Sequence, residues 1–126
     1  MAKEYLHTGN APAAVGPYSQ GVKAGSLLFV SGQMPVDPAT GDLVTGSAAE
    51  KAVQCMKNVL AILEQAGLAG DNIVKATIFL TDMNDFGEVN KAYAGFFKGN
   101  FPARSCVEVS RLPKDVTVEI EVIASS

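Results

Sequence analysis

Five stretches of the chain carry the alternating or β-branched apolar pattern that is typical of β-strands. The predicted strands are Tyr18–Ala24, Leu27–Ser31, Ile73–Leu80, Ala103–Val109 and Thr117–Ile123. A further short strand is expected near Glu4–Thr8. Gly25 and Ser26 separate the first two strands, and a glycine at the first position of a two-residue turn favours a type II′ hairpin. The segment Pro35–Asp42 is rich in turn residues and predicts a loop.

Apolar residues at helical spacing predict two helices. The first begins at Ser47, because Ser47 and Glu50 form a capping box, and it ends before Gly67. Its expected buried stripe consists of Ala49, Val53, Met56, Leu60 and Leu63. The second helix is expected to end at Gly99–Pro102. Its apolar residues are Phe86, Val89, Tyr93, Phe96 and Phe97.

The order of these elements predicts one α+β domain over residues 1–126, with a mixed sheet and both helices on one face. The inner strands Leu27–Val30 and Ala76–Leu80 place apolar side chains on both faces of that sheet. The face without helices therefore needs a cover, and a second copy of the chain is the simplest one. We expect a homo-oligomer, with any site on that face lying between subunits.

Charged residues on the last two predicted strands are candidates for chemistry. If these strands pair as an antiparallel hairpin with their apolar rows on one face, Arg104, Cys106 and Glu119 share the other face. The alternative is that this polar face only meets water. A guanidinium in such a cluster matches a small carboxylate, because its planar fork donates two parallel hydrogen bonds.

Each of these side chains also has a structural interpretation. Arg104 could form an ion pair with Glu119 or Glu121. Glu119 is expected to stay ionised beside the arginine and to move protons or position water, or else to be a solvated sheet residue. Gly32 follows an apolar strand, where a missing side chain would let backbone amides approach a ligand, although a turn at the strand end explains it equally well.

The two cysteines give little support for nucleophilic or metal chemistry. A Cys106 nucleophile needs a base, and His7, the one histidine, lies in the N-terminal segment. Cys55 is expected to be a core residue of the first helix. Neither cysteine belongs to a zinc-binding spacing, and no Gly-rich nucleotide-binding pattern occurs. We therefore expect no metal and no cofactor.

Composition narrows the function further. The 126 residues are 48% hydrophobic and 18% charged, with a net charge of -3. This charge, without a basic stripe, argues against binding to nucleic acid. No apolar stretch approaches the roughly 20 residues that a membrane span needs, and no signal-peptide pattern is present. A cytoplasmic protein without membrane contact is the expectation.

Several motifs are distinctive enough to compare with known families. The most specific one is Pro-Ala-Arg-Ser-Cys-Val-Glu-Val at residues 102–109, followed by Arg-Leu-Pro-Lys-Asp-Val-Thr-Val-Glu-Ile at 111–120. Supporting motifs lie at Asn10–Gly21, Ser31–Gln33, Asn84–Phe86 and Val89–Asn90. Through these motifs the chain resembles, almost from end to end, the RidA group, the 2-iminobutanoate/2-iminopropanoate deaminases.

The resemblance implies a chorismate-mutase-like fold and a homotrimer with sites in the clefts between subunits. It implies that Arg104 holds the substrate carboxylate and that Glu119 handles protons or water. The remaining pocket residues that it implies are Tyr18, Ser31, Gly32, Asn90 and Cys106. The implied activity is hydrolysis of 2-imino acids to 2-keto acids. A small-carboxylate regulator and a chaperone-like or RNA-directed protein stay open as alternatives.

Overall fold

A computed structural model describes residues 2–126 and contains six strands and two α-helices. Short 3-10 turns at Gly70–Asn72, Met83–Asp85 and Pro113–Asp115 join some of these elements. In chain order, the elements are β1 (Lys3–Leu6), β2 (Gly21–Ala24), β3 (Leu27–Gln33), α1 (Ala48–Gln65), β4 (Ile73–Leu80), α2 (Phe86–Ala94), β5 (Ala103–Glu108) and β6 (Val118–Ser125).

The six strands form one sheet in the order β1-β2-β3-β6-β4-β5. β4 and β5 are parallel, and the other neighbours are antiparallel. A parallel pair needs a crossover, which α2 supplies between β4 and β5. The mixed α+β sheet predicted from the sequence is confirmed, and β5 lies at its edge.

The predicted hairpin of the last two strands is wrong. β4 lies between β5 and β6, so that Ala76 is paired with Arg104 on one side and with Val122 on the other. The nine residues between β5 and β6, 109–117, connect these strands across the end of β4. Alternation along a strand decides which side chains share a face, but it does not decide which strand becomes the neighbour. The structure therefore changes the environment of Arg104.

Both helices contribute to one hydrophobic core against the sheet. The predicted start of α1 is confirmed, because the Ser47 side chain accepts a hydrogen bond from the backbone N–H of Glu50. Its buried stripe differs from the prediction, since Ala49, Val53 and Leu60 are only half-buried. The buried residues of α1 are Ala52, Cys55, Met56, Asn58, Val59, Ile62 and Leu63, which include the expected core cysteine.

The second helix is shorter than its apolar spacing predicts. α2 ends at Ala94 with Gly95 as its C-cap, so Phe96 and Phe97 follow the helix. Both phenylalanines still pack against the core, which explains why their spacing resembled a helical stripe. Phe97 lies 4.9 Å from Tyr93 between ring centroids.

The sheet face without helices carries several exposed apolar side chains. Register and alternation place Leu27, Phe29 and Val107 on this face, and each is about 40% exposed. We call it the open face. Its apolar character agrees with the expectation of a cover, although the structure describes a single chain.

Candidate functional site

The structure divides the predicted site residues into two clusters on opposite faces of the sheet. The arginine cluster, on the helix side, consists of Arg104, Asn90, Cys106, Phe86 and Tyr93. The glutamate cluster, on and beside the open face, consists of Glu119, Gly32, Ser31 and Tyr18.

Arg104 reaches from the edge strand β5 towards α2. Its Nη1 donates a hydrogen bond of 2.7 Å to Oδ1 of Asn90. Its Cζ atom lies 5.6 Å from the ring centroid of Phe86 and 5.2 Å from that of Tyr93. These three residues of α2 are spaced four and three apart, which puts them on one side of the helix.

The guanidinium of Arg104 has no carboxylate partner within residues 2–126. In that part of the chain, the ion pair joins Arg111 and Asp115, at 2.7 Å between Nε and Oδ1. The alternative that Arg104 pairs with Glu119 or Glu121 is therefore wrong for the single chain. Of the five N–H donors that an arginine carries, Asn90 occupies one. The others are available to an anionic ligand.

A cavity of about 360 Å³ opens beside this guanidinium. It is lined by Asn90, Tyr93, Ala94, Phe101, Pro102 and Arg104. Its size falls in the range of small-molecule sites, which combine apolar walls with a few polar groups. Phe101 and Pro102 were not predicted as lining residues; their position next to Arg104 in the sequence was the available signal.

Cys106 points to the same side of the sheet as Arg104, but its surroundings do not favour a nucleophilic thiolate. Partial burial raises the pKa of its thiol, and the positive charge of Arg104 offsets part of that effect. His7 follows β1, at the opposite edge of the sheet from β5. The thiol therefore stays protonated near neutral pH, and a wall of the cluster is the role that its surroundings favour.

Glu119 lies on the open face of β6, opposite Phe79 of β4. Burial raises the pKa of its carboxyl group, and the negative charge of Glu121 raises it further. Within the single chain, the expected arginine does not lie beside this carboxylate, because Arg104 faces the other side of the sheet. A raised pKa brings a carboxyl group closer to the range in which general acids and bases work.

Gly32 lies where the Glu119 side chain crosses β3. A Cβ atom at this position would lie 2.8 Å from Cδ of Glu119, closer than carbon atoms can approach. Gly32 lies within β3, where the pairing with β6 is irregular between Val30 and Gln33, so the predicted turn at the strand end is wrong. The missing side chain makes room for the carboxylate.

Ser31 directly precedes Gly32 in β3, and Tyr18 directly precedes Ser19, to which Ser31 is hydrogen-bonded. The Ser31 hydroxyl donates a hydrogen bond to the backbone carbonyl of Ser19, and the Ser31 N–H donates to the carbonyl of Gln20. These bonds hold the segment that carries Tyr18 against β3. Tyr18 is 48% exposed, so its ring is available for contact outside the chain.

Residues 2–126 contain neither a metal-binding cluster nor a membrane-spanning helix. Within residues 2–126, no group of three or more His, Cys, Asp or Glu side chains is arranged to hold a metal ion. No helix of the same residues has the length and apolar character that crossing a bilayer requires.

The sheet order, the two helices on one face and the arginine at the β5 edge define an α+β protein of RidA-like architecture. Residues 8–126 match the family described as endoribonuclease L-PSP. The chain belongs to this family, and the resemblance to the RidA group is confirmed.

Relatives and solved structures agree with this assignment. The 2-iminobutanoate/2-iminopropanoate deaminase of Escherichia coli is 56% identical over 94% of each chain. A Rid-family protein from Yersinia pestis has a structure with a TM-score of 0.96 and 52% identity, covering 99% of this chain and 100% of that one. The structure of E. coli TdcF with bound serine has a TM-score of 0.94 and 47% identity, with 98% of each chain covered.

Proposed function

We propose that this protein is a deaminase that hydrolyses reactive 2-imino acids to 2-keto acids and ammonia. The observation that carries the proposal is the Arg104 guanidinium, which meets a cavity with no carboxylate partner within residues 2–126. The E. coli relative that carries the deaminase name is similar over 94% of this chain. A free guanidinium in an otherwise largely apolar pocket is a receptor for a small carboxylate.

In the proposed reaction, water adds to the C=N carbon and the C–N bond then breaks. The water oxygen becomes the keto oxygen, and its two protons leave with the nitrogen as ammonia. Arg104 binds the carboxylate and so orients the imine for attack. Glu119 takes a proton from water and passes one to the departing nitrogen.

Arg104 and Glu119 act on one substrate only if they come from different copies of the chain. Within one chain they lie on opposite faces of the sheet and are offset along β4, since Arg104 is level with Ala76 and Glu119 with Phe79. We propose that the open face of one copy meets the β5 edge of another in a homotrimer. Tyr18, Ser31 and Gly32 would then join Asn90 and Cys106 around one cleft.

The proposal is tested by generating 2-aminoacrylate with an amino-acid dehydratase and following keto-acid release. We expect Arg104→Ala to lower kcat/KM by at least about tenfold, because a charge-assisted hydrogen bond to the carboxylate is lost. Arg111→Ala is the matched control, since Arg111 is exposed and paired with Asp115. Equal rates for wild type and Arg104→Ala would sink the assignment.

A regulator that binds small carboxylates without turnover is the second candidate. The same guanidinium favours it, and the TdcF structure with bound serine is a related precedent. Glu119→Gln separates the two functions. Normal binding of 2-oxobutanoate with lost turnover supports the enzyme, whereas wild-type protein that binds the keto acid and gives no turnover supports the regulator.

The family description also raises a function on RNA. The net charge of -3 provides no general attraction to a phosphate backbone. Filter binding of single-stranded RNA at two salt concentrations tests this. Tight binding that weakens steeply with salt would support a nucleic-acid function, and no retention at either concentration would argue against it.

A further inference from the structure

The Arg104 guanidinium lies between two aromatic rings of α2. We propose that Phe86 and Tyr93 are positioning residues, which hold the guanidinium at the cavity with its remaining N–H donors free for a ligand carboxylate. The distances from Cζ to the two ring centroids, 5.6 Å and 5.2 Å, lie within the range of a cation–π contact. The two rings are called the aromatic platform below.

Aromatic rings hold an arginine without competing for its hydrogen bonds. A carboxylate partner would occupy two N–H donors, and a ligand carboxylate would have to displace it. A ring attracts the positive charge through its face and leaves the donors in the guanidinium plane unused. Asn90 adds one neutral hydrogen bond of 2.7 Å, which restricts rotation of the side chain. The platform thus orients the charge without neutralising it.

The core determines where the platform lies. Tyr93 is 2% exposed and packs on Phe97, whose ring in turn lies 6.0 Å from that of Phe101. Phe86 is half-buried and also packs against the core. Because both rings are anchored, the guanidinium is held at one place relative to the cavity. A lysine ammonium lacks the planar shape that stacks on such rings, so the platform also accounts for an arginine here.

The Tyr93 hydroxyl is a second unusual feature of the platform. Among the buried side-chain oxygen and nitrogen atoms of residues 2–126, it is the one without a hydrogen-bond partner. Burial raises the pKa of Tyr93, and the charge of Arg104 opposes that effect. Within the described chain, the Tyr93 hydroxyl therefore makes no hydrogen bond that would account for a tyrosine at this position. Tyr93 contacts Arg104 through the face of its ring.

This inference rests on the proposed function. If the guanidinium holds the substrate carboxylate in the wrong place, we expect substrate binding to weaken more than the reaction of the bound substrate slows. Phe86→Leu removes one ring and retains an apolar side chain. We expect KM for 2-iminobutanoate and Kd for 2-oxobutanoate to rise about tenfold, while kcat changes less than about threefold. Phe86→Tyr retains the ring and is expected to restore both constants to within about twofold of wild type.

Phe96→Leu is the matched control, because Phe96 is, like Phe86, a half-buried aromatic residue that packs against the core, and it lies outside the cavity lining. It is expected to leave both constants unchanged. If Phe86→Leu does not fold, Phe86→Met replaces it with a flexible side chain of similar volume. A Kd for 2-oxobutanoate that stays at the wild-type value in the folded variant would overturn the proposal, as would failure of Phe86→Tyr to restore it.

A double-mutant cycle tests the platform without any ligand. The free energy of unfolding is measured for wild type, Phe86→Leu, Arg104→Ala and the double variant. We expect the two substitutions to be coupled, with Phe86→Leu costing less once the guanidinium is absent. Zero coupling would overturn the proposal. If wild type neither turns over imine nor binds 2-oxobutanoate, the proposed function fails, while the coupling still tests the platform.

Discussion

The position of Glu119 on the open face affects the protonation of its carboxyl group. Its carboxyl group is half-buried, and Glu121 lies two residues along the same strand. Both effects favour the neutral acid, so the pKa is higher in the folded chain than in the unfolded one. Such a group is useful in catalysis, and its ionisation weakens folding.

The pH dependence of stability follows from this shift. Because the folded state binds the proton more tightly, the stabilisation is present below the unfolded pKa of about 4.3 and is lost as the pH rises through the folded pKa. We expect Glu119→Gln to raise the free energy of unfolding at pH 7 by less than about 1 kcal/mol, since the half-exposed group is screened by solvent. The gain should disappear near pH 4.

Urea unfolding at both pH values measures this difference. Glu64→Gln is the matched control, because Glu64 is exposed on α1. The assigned direction of the pKa shift would be contradicted if Glu119→Gln were less stable than wild type at pH 7 and equally stable at pH 4.

At the level of elements, α1 has the clearest local signal. The Ser47 hydroxyl accepts from the Glu50 N–H at 3.1 Å, which is the first hydrogen bond of a capping box. Oε1 of Glu50 accepts from the Ser47 hydroxyl at 3.3 Å, where a full capping box would use the backbone N–H of Ser47. Gly67 follows the helix with a φ of +73° and supplies the backbone conformation that ends it. The helix bounds were predictable because these signals involve residues within four positions of one another.

Ser47→Ala is expected to lower the free energy of unfolding by about 1 kcal/mol, because it leaves an N-terminal N–H of α1 without its side-chain acceptor. Chemical denaturation measures the change. Ser110→Ala is the control, since Ser110 is exposed in the loop after β5. Equal midpoints for the two variants would mean that the cap contributes nothing to stability.

At the level of the whole molecule, the two clusters on opposite faces require a second copy if they serve one site. The exposed apolar side chains of the open face favour such an association. The proposed trimer combines Arg104 of one copy with Glu119 of another.

Mixing two inactive variants tests this arrangement. Arg104→Ala and Glu119→Gln chains are unfolded together in equal amounts and refolded. If each site takes the two residues from different copies, about one quarter of all sites in the refolded mixture contain both native residues, and activity returns to about that fraction of wild type. Variants refolded separately are the control. No recovery in the mixture would contradict a shared site.

The local sequence pattern predicted most of the fold. It predicted only some of the residues of the arginine cluster. The strand at Ile73–Leu80 and the start of α1 are confirmed. Asn90 and Cys106 join Arg104, whereas the aromatic platform was interpreted as helix core. Phe86, Asn90 and Tyr93 share one side of α2, and that spacing could have placed both rings beside Asn90.

The sequence by itself determined where strands and helices form and which side chains share a face of each strand, because these depend on backbone geometry over a few residues. Strand order was decided only by the tertiary structure. Insertion of β4 between β5 and β6 is a long-range packing choice, and it turned Arg104 towards the helices and Glu119 towards the open face. Neighbouring strands pair across distant segments, so alternation within one strand contains no record of that choice.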